Sequence, residues 1–119
     1  FCNEEDADSS LSPIPNANEE NKIQAIRLDE VKELESKKIK LLKLEAEGEE
    51  LAVLRGAENI LKNIKFISAD LGFERYVLDS DNYISTLGPV VNYLNDHNFQ
   101  LINTYRLTRK TFLFKNKKI

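Results

Sequence analysis

Two short runs concentrate the side chains able to do chemistry. Lys43-Leu44-Glu45-Ala46-Glu47-Gly48 closes an apolar stretch with a lysine and two carboxylates, and Asp70-Leu71-Gly72-Phe73-Glu74-Arg75 closes another with an aspartate and a charged pair. Along an extended chain, alternation aims Lys43, Glu45 and Glu47 the same way. Three ionisable groups on one face at a strand end are costly unless solvated or paired, which makes them a site hypothesis. Glu47, Glu49 and Glu50 equally suit the positive end of a following helix. Asp70 or Glu74 could bind a substrate hydroxyl or act as a base, while Glu74-Arg75 also reads as a surface pair worth under about 1 kcal/mol. His97 has the intrinsic pKa of a general base. Its place beside Asp96 and Asn98, at the far end of a helical pattern, reads instead as a helix-terminal polar residue.

Other chemistries are excluded by what is absent. With Cys2 the sole cysteine and His97 the sole histidine, an internal disulfide and a Cys/His zinc site are ruled out, and a Cys-His catalytic pair requires those two to meet. Gly48, Gly56, Gly72 and Gly88 are isolated, so neither a dinucleotide-binding glycine turn nor a Walker loop is present. No G-x-S-x-G elbow occurs.

The elements that must position these residues alternate in period. Lys22–Leu28 reads as a short strand, and Asp29 as the cap of a brief helix with Val31 and Leu34 on its apolar side. Ile39–Leu44 is too short for a helix and mostly apolar, as in a strand covered on both faces. After a turn at Glu47-Gly48, apolar positions at Leu51, Leu54, Ala57 and Leu61 predict an amphipathic helix over 49–63. A strand follows over 65–71, then loops containing Gly72, Glu74-Arg75 and Asp79–Asn82. Leu87, Val90, Val91 and Leu94 mark a second helix, with Pro89 in its first turn and Asn98 as a left-handed C-terminal residue. Phe99–Arg106 and Lys110–Lys115, joined by Leu107-Thr108-Arg109, suggest a closing antiparallel hairpin. This order is the grammar of an α/β fold with a mostly parallel sheet. Ligands in such sheets bind beyond the carboxyl ends of the strands, where both polar runs fall.

Length and charge set the frame. A chain of 119 residues, 41% of them hydrophobic and with a net charge of −3, fits one ordinary domain. Residues 1–21 hold six acids, no base and two prolines, a composition of loop or partial strand, whereas residues 22–119 carry the periodic elements. Residues 101–119 carry six bases and no acid, a pattern suited to exposed strand edges and a frayed end; with an acidic total, nucleic-acid binding is not favoured. No apolar run approaches the roughly 20 residues of a membrane-spanning helix, and the acidic opening is unlike a signal peptide, so no membrane association and a cytoplasmic location are expected. The absence of methionine and the start at Phe1 suggest a segment of something longer.

From Leu42 to Ala57 the sequence resembles the FkbM family of S-adenosylmethionine-dependent methyltransferases, matching its pattern at Lys43, Glu47, Gly48, Glu50, Val53, Leu54, Gly56 and Ala57. The likeness continues through Ile67–Arg75, Leu28-Asp29-Glu30-Val31 and Asp8-Ser9-Ser10-Leu11. Glu45 stands where the family usually has aspartate, which retains the carboxylate but lengthens its arm. The resemblance implies the carboxyl-terminal part of a Rossmann-like class I methyltransferase domain, with S-adenosylmethionine as cofactor and methyl transfer to a hydroxyl of a carbohydrate or natural product. It further implies that the cofactor's glycine loop and ribose-binding acid belong upstream of Phe1, leaving an incomplete domain. Glu45 and Glu47 then face cofactor or substrate as catalytic candidates, Lys43 orients them, and Asp70 and Glu74 contribute to acceptor binding.

Two other readings compete. One is a noncatalytic remnant or interaction module that keeps the sheet without the cofactor site. The other is a metal-dependent transferase using Glu45, Glu47 and Asp70 as oxygen ligands. An incomplete doubly wound sheet exposes an edge and an apolar face, so the chain alone is expected to be marginally stable or to associate through strand 39–44.

Overall fold

The computed structural model describes residues 2–3, 8–9, 22–76, 83–105 and 111–119, and for 2–3, 8–9, 73–76, 83–84 and 105 the backbone only. Among the described residues there are eight strands and two α-helices. A minimal antiparallel pair, β1 (Cys2–Asn3) and β2 (Asp8–Ser9), lies in the acidic N-terminal run. Then come β3 (Ile39–Leu44), α1 (Glu50–Arg55), β4 (Ile64–Asp70), β5 (Phe73–Tyr76), β6 (Tyr83–Ser85), α2 (Leu87–Asp96), β7 (Phe99–Tyr105) and β8 (Thr111–Asn116). Four strands form the main sheet in the order β3-β4-β8-β7, and β5 pairs with β6 separately.

The sheet is mixed rather than mostly parallel. β3 and β4, linked through α1, run parallel, whereas β4–β8 and β8–β7 are antiparallel. The expected closing hairpin is therefore present as β7–β8, with a bulge between Leu101 and Asn103. Its connecting residues 107–109 lie outside the described residues, as does the loop over 79–82.

Register assigns the two faces. Leu42 and Leu44 of β3 stand beside Ile67 and Ala69 of β4, which stand beside Phe114 and Phe112 of β8. This face meets Leu54, Ala57, Val90 and Leu94 from the helical side in one buried core. A Leu or Phe fully buried in this way contributes about 1.5–3 kcal/mol. The opposite face carries Leu41, Phe66 and Leu113, all partly or well exposed, together with Lys43, Ser68, Asp70 and Thr111. β3 is accordingly covered on one face only, not on both as its apolar sequence suggested, and Leu41 is 52% exposed.

Two further segments depart from the periodic reading. The helix predicted over 49–63 stops at Arg55, and the chain continues in turns and a short 3-10 segment over Leu61–Asn63. Tight bonds from Ala57 N–H to Leu54 O and from Ile60 N–H to Ala57 O keep Leu54, Ala57, Ile60 and Leu61 all buried without a continuous helix. Gly56 at this break lies beside the Arg27 backbone: a Cβ there would meet the Cα of Arg27 at an ordinary contact distance of 3.7 Å.

The strand expected over 22–28 is absent. Residues 22–27 are exposed coil and Leu28–Glu30 forms a 3-10 turn. Ile23 and Ile26, three apart, would point to opposite faces of a strand, and both remain exposed. The segment is fastened to the end of α1 instead: Asp29 N–H donates to Gly56 O at 2.9 Å and the Arg27 guanidinium to Arg55 O at 2.8 Å. Asp29 does not cap its own turn either; its carboxylate accepts from Asn59 N–H at 3.1 Å and pairs with Arg27 at 3.2 Å.

The second helix follows expectation, with Pro89 in its first turn and Asn98 at a left-handed φ of 67° just beyond its end. Thr86 joins it to β4 reciprocally: Gly72 N–H donates to Thr86 Oγ1 at 3.1 Å and Thr86 N–H donates to Gly72 O at 2.9 Å. Gly72-Phe73-Glu74-Arg75, expected as loop, turns at Gly72 and enters strand β5.

Candidate functional site

Parallel pairing of β3 with β4 sets Lys43 beside Ser68, and antiparallel pairing of β4 with β8 sets Asp70 beside Thr111. These residues share the uncovered face at the carboxyl ends of β3 and β4. With Leu44 and Glu45 they line a cleft of about 130 Å³. The polar run ending β3 and Asp70 of the second run thus meet, as the position of both at strand ends implied.

Lys43 Nζ donates a hydrogen bond to a Glu45 carboxylate oxygen, forming an exposed ion pair at the cleft mouth. That hydrogen bond, then the Glu45 charge, and with them the charge of Asp70, hold the Lys43 ammonium above its ordinary pKa. Lys43 thus carries a positive charge beside Glu45 and within the field of Asp70.

Glu47 is placed differently from its neighbours. The strand ends at Leu44, and Glu47 adopts a left-handed φ of 50° with Gly48 at 109°, so alternation does not carry as far as Glu47. It does not line the cleft. Glu74 belongs to β5, and its side chain lies outside the described residues.

Glu50, read from sequence as one of the acids favouring a helix start, has a more definite task. It is buried, and its carboxylate accepts from Ala46 N–H at 2.7 Å and from Gly48 N–H at 3.2 Å. The side chain bends back over the turn and fixes the segment that follows Glu45. Its signal in the sequence was its match to the family pattern rather than any periodicity. Ser68 and Thr111 were also missed as cleft residues, since neither type nor spacing marks them and the sheet register alone brings them to Lys43 and Asp70.

His97 is a helix-terminal residue, as expected. Its Nδ1 lies 2.7 Å from Tyr93 O, its ring stacks on Tyr93 at 4.1 Å, and its Nε2 lies 3.7 Å from Glu58. Among the described residues, no group of three or more His, Cys, Asp or Glu side chains is arranged to hold a metal ion, so Glu45, Glu47 and Asp70 do not form the expected ligand set. Nor, among them, is any helix long and apolar enough to cross a membrane.

The cleft offers a cation, two carboxylates and two hydroxyl side chains around a small volume. Such a site can hydrogen-bond a hydroxylated group and take up a proton from it. It is too small for a nucleoside cofactor, which needs a pocket of about 300 Å³ or more.

Comparison with known proteins identifies the family. No curated protein and no solved structure matches the chain. The family model described as the methyltransferase FkbM domain matches residues 2–101, which takes in β1 through the start of β7 and leaves β8 outside. The match covers most of the sequence, and with it the β3–turn–α1 segment that builds the cleft: the chain belongs to the FkbM family of methyltransferase domains.

Proposed function

We propose that this domain serves methyl transfer from S-adenosylmethionine to a hydroxyl oxygen of a carbohydrate or other natural product, and that the β3–β4 cleft is the acceptor side of its site. The observation that carries the reading is the meeting of the Lys43–Glu45 pair with Asp70 at the carboxyl ends of two parallel strands, within a methyltransferase domain family. In this reading the described sheet is the carboxyl-terminal part of a Rossmann-like class I domain. The cleft is too small for the cofactor, so in this reading it serves the acceptor alone.

The residues present work on the acceptor. Asp70, Ser68 and Thr111 hold and orient a hydroxylated group, which supplies rate mostly through positioning. Glu45, at the mouth of the cleft, accepts the hydroxyl proton as the oxygen becomes nucleophilic. Lys43 keeps the Glu45 carboxylate aimed. Glu50 holds the turn beneath it.

The test is product analysis. Full-length protein, given isotopically labelled donor and a panel of sugars and polyols beside amines and thiols, is expected to place label on hydroxyl oxygen. Label found on nitrogen or sulfur instead, or transfer to none of the panel, would overturn the assignment.

A further inference from the structure

The larger concavity lies at the opposite end of the sheet. Lys38, Ile39 and Lys40 at the start of β3, Lys62, Asn63 and Lys65 around the start of β4, and Ile119 line a groove of about 390 Å³. Four ammonium groups share it and no Asp or Glu side chain lines it. Among the described residues none of these four lysines has an ion-pair partner; Lys65 lies 5.7 Å from the centre of the Phe66 ring. The four are exposed, and Ile119 is 52% exposed.

Edge protection does not account for this arrangement. A lysine on or beside an edge strand discourages pairing with another chain, which suits Lys40 on β3 and Lys38 just before it. Lys62 and Lys65 belong to the interior strand β4 and the turn before it, where there is no edge to guard. Collecting like charges costs self-repulsion, and that cost is relieved by an acidic ligand. The whole chain carries a net −3, so the groove is a local exception to the sign of the protein.

We propose that this groove docks an acidic peptide segment of a partner protein, with an aliphatic or aromatic side chain seated between Ile39 and Ile119 and flanking carboxylates against Lys38, Lys40, Lys62 and Lys65. The shape and lining favour that occupant. A concavity with apolar residues between its cations accepts a protruding side chain, and the lysine stems add apolar wall while their heads reach the acids. Nucleic-acid sites add arginines and aromatic platforms, and the groove has neither. A bilayer presents a broad front that engages protruding rather than recessed bases. Because the groove is remote from the β3–β4 cleft, the proposal stands or falls independently of the methyl-transfer reading.

A fluorescent Glu-Asp-Leu-Glu-Asp peptide titrated with the full chain tests it by polarisation. Saturable binding is expected, weakening with added salt. Binding should fall by about tenfold in K40E/K65E, with a smaller loss in K40Q/K65Q, since the former reverses charges that the latter only removes. The Gln-Asn-Leu-Gln-Asn peptide should bind far more weakly, as should a version with Gly for Leu. Circular dichroism melts confirm that both variants fold. Equal binding by wild type and K40E/K65E would overturn the proposal. So would lysine-dependent retention on phosphatidylserine vesicles, or by inorganic phosphate, with no binding of the peptide.

Discussion

The Glu50 carboxylate lies 2.7 Å from the backbone N–H of Ala46, four residues before it, and closes the turn that carries the end of β3 into α1. The same carboxylate takes the N–H of Gly48. Replacing Glu50 with alanine leaves both donors without this acceptor in a largely buried setting, an expected loss of about 2 kcal/mol. Glu50→Gln keeps one acceptor oxygen and should lose about half as much. Urea unfolding of the two variants checks the ordering, and an alanine variant as stable as wild type would show that the turn holds itself.

Tyr93 makes the opposite case. Its hydroxyl is buried and, among the described residues, has no hydrogen-bond partner. Burial first, then the Glu58 carboxylate, pushes the phenol above its ordinary pKa of 10.0. The folded state therefore holds the Tyr93 proton more tightly than the unfolded chain does. The resulting stability is complete below about pH 10 and is lost as pH rises toward the elevated folded value. Tyr93→Phe removes an unsatisfied polar atom and should raise stability by up to about 1 kcal/mol at neutral pH. It should also flatten the alkaline loss. Unfolding curves at neutral pH and near pH 10.5 measure both effects.

How much of this was legible in the sequence follows from how local each cause is. The second helix was readable because its apolar spacing, Pro89 and Asn98 all act within the element. β3, β4 and the β7–β8 pair announced themselves by short apolar runs. The truncation of the first helix at Arg55 was not readable, since the apolar positions after Gly56 keep a helical spacing while the chain tightens into turns. Lys22–Leu28 has strand-like composition, yet Arg27 and Asp29 anchor it to Gly56, Asn59 and the end of α1. Half of the cleft was visible as charges at strand ends. The other half, Ser68 and Thr111, required the β4–β8 register, a long-range fact. Asn116 is a similar omission: buried at the end of β8, it donates to Ile64 O at 3.1 Å and accepts from Lys118 N–H at 3.0 Å, pinning two strands with a residue that reads as tail.

The uncovered side of the sheet has its own expected behaviour. β3 is an outer strand among those described, with Leu41 half exposed. Self-association of the chain through β3 is the expected outcome, opposed by Lys40 and Lys43 on that strand and Lys38 just before it. The association should therefore be weak and should strengthen when salt screens the lysines. Sedimentation velocity over a concentration series reads it, with Leu41→Lys shifting the population to monomer. A wild-type chain monomeric at every concentration and salt would contradict it.

The central claim is that the Glu45 carboxylate, held by Lys43 beside Asp70, acts on the acceptor. Lys43 and Glu45 are exposed and screened by solvent, so their pair adds little to stability, and Glu45→Gln should leave the melting temperature unchanged. Loss of a proton acceptor should nevertheless lower kcat by about 100-fold or more. The decisive measurement is single-turnover methyl transfer from labelled S-adenosylmethionine by full-length wild type and Glu45→Gln at matched stability. A fall of that size with unchanged melting is the expected result; equal turnover by the two proteins would contradict the assignment.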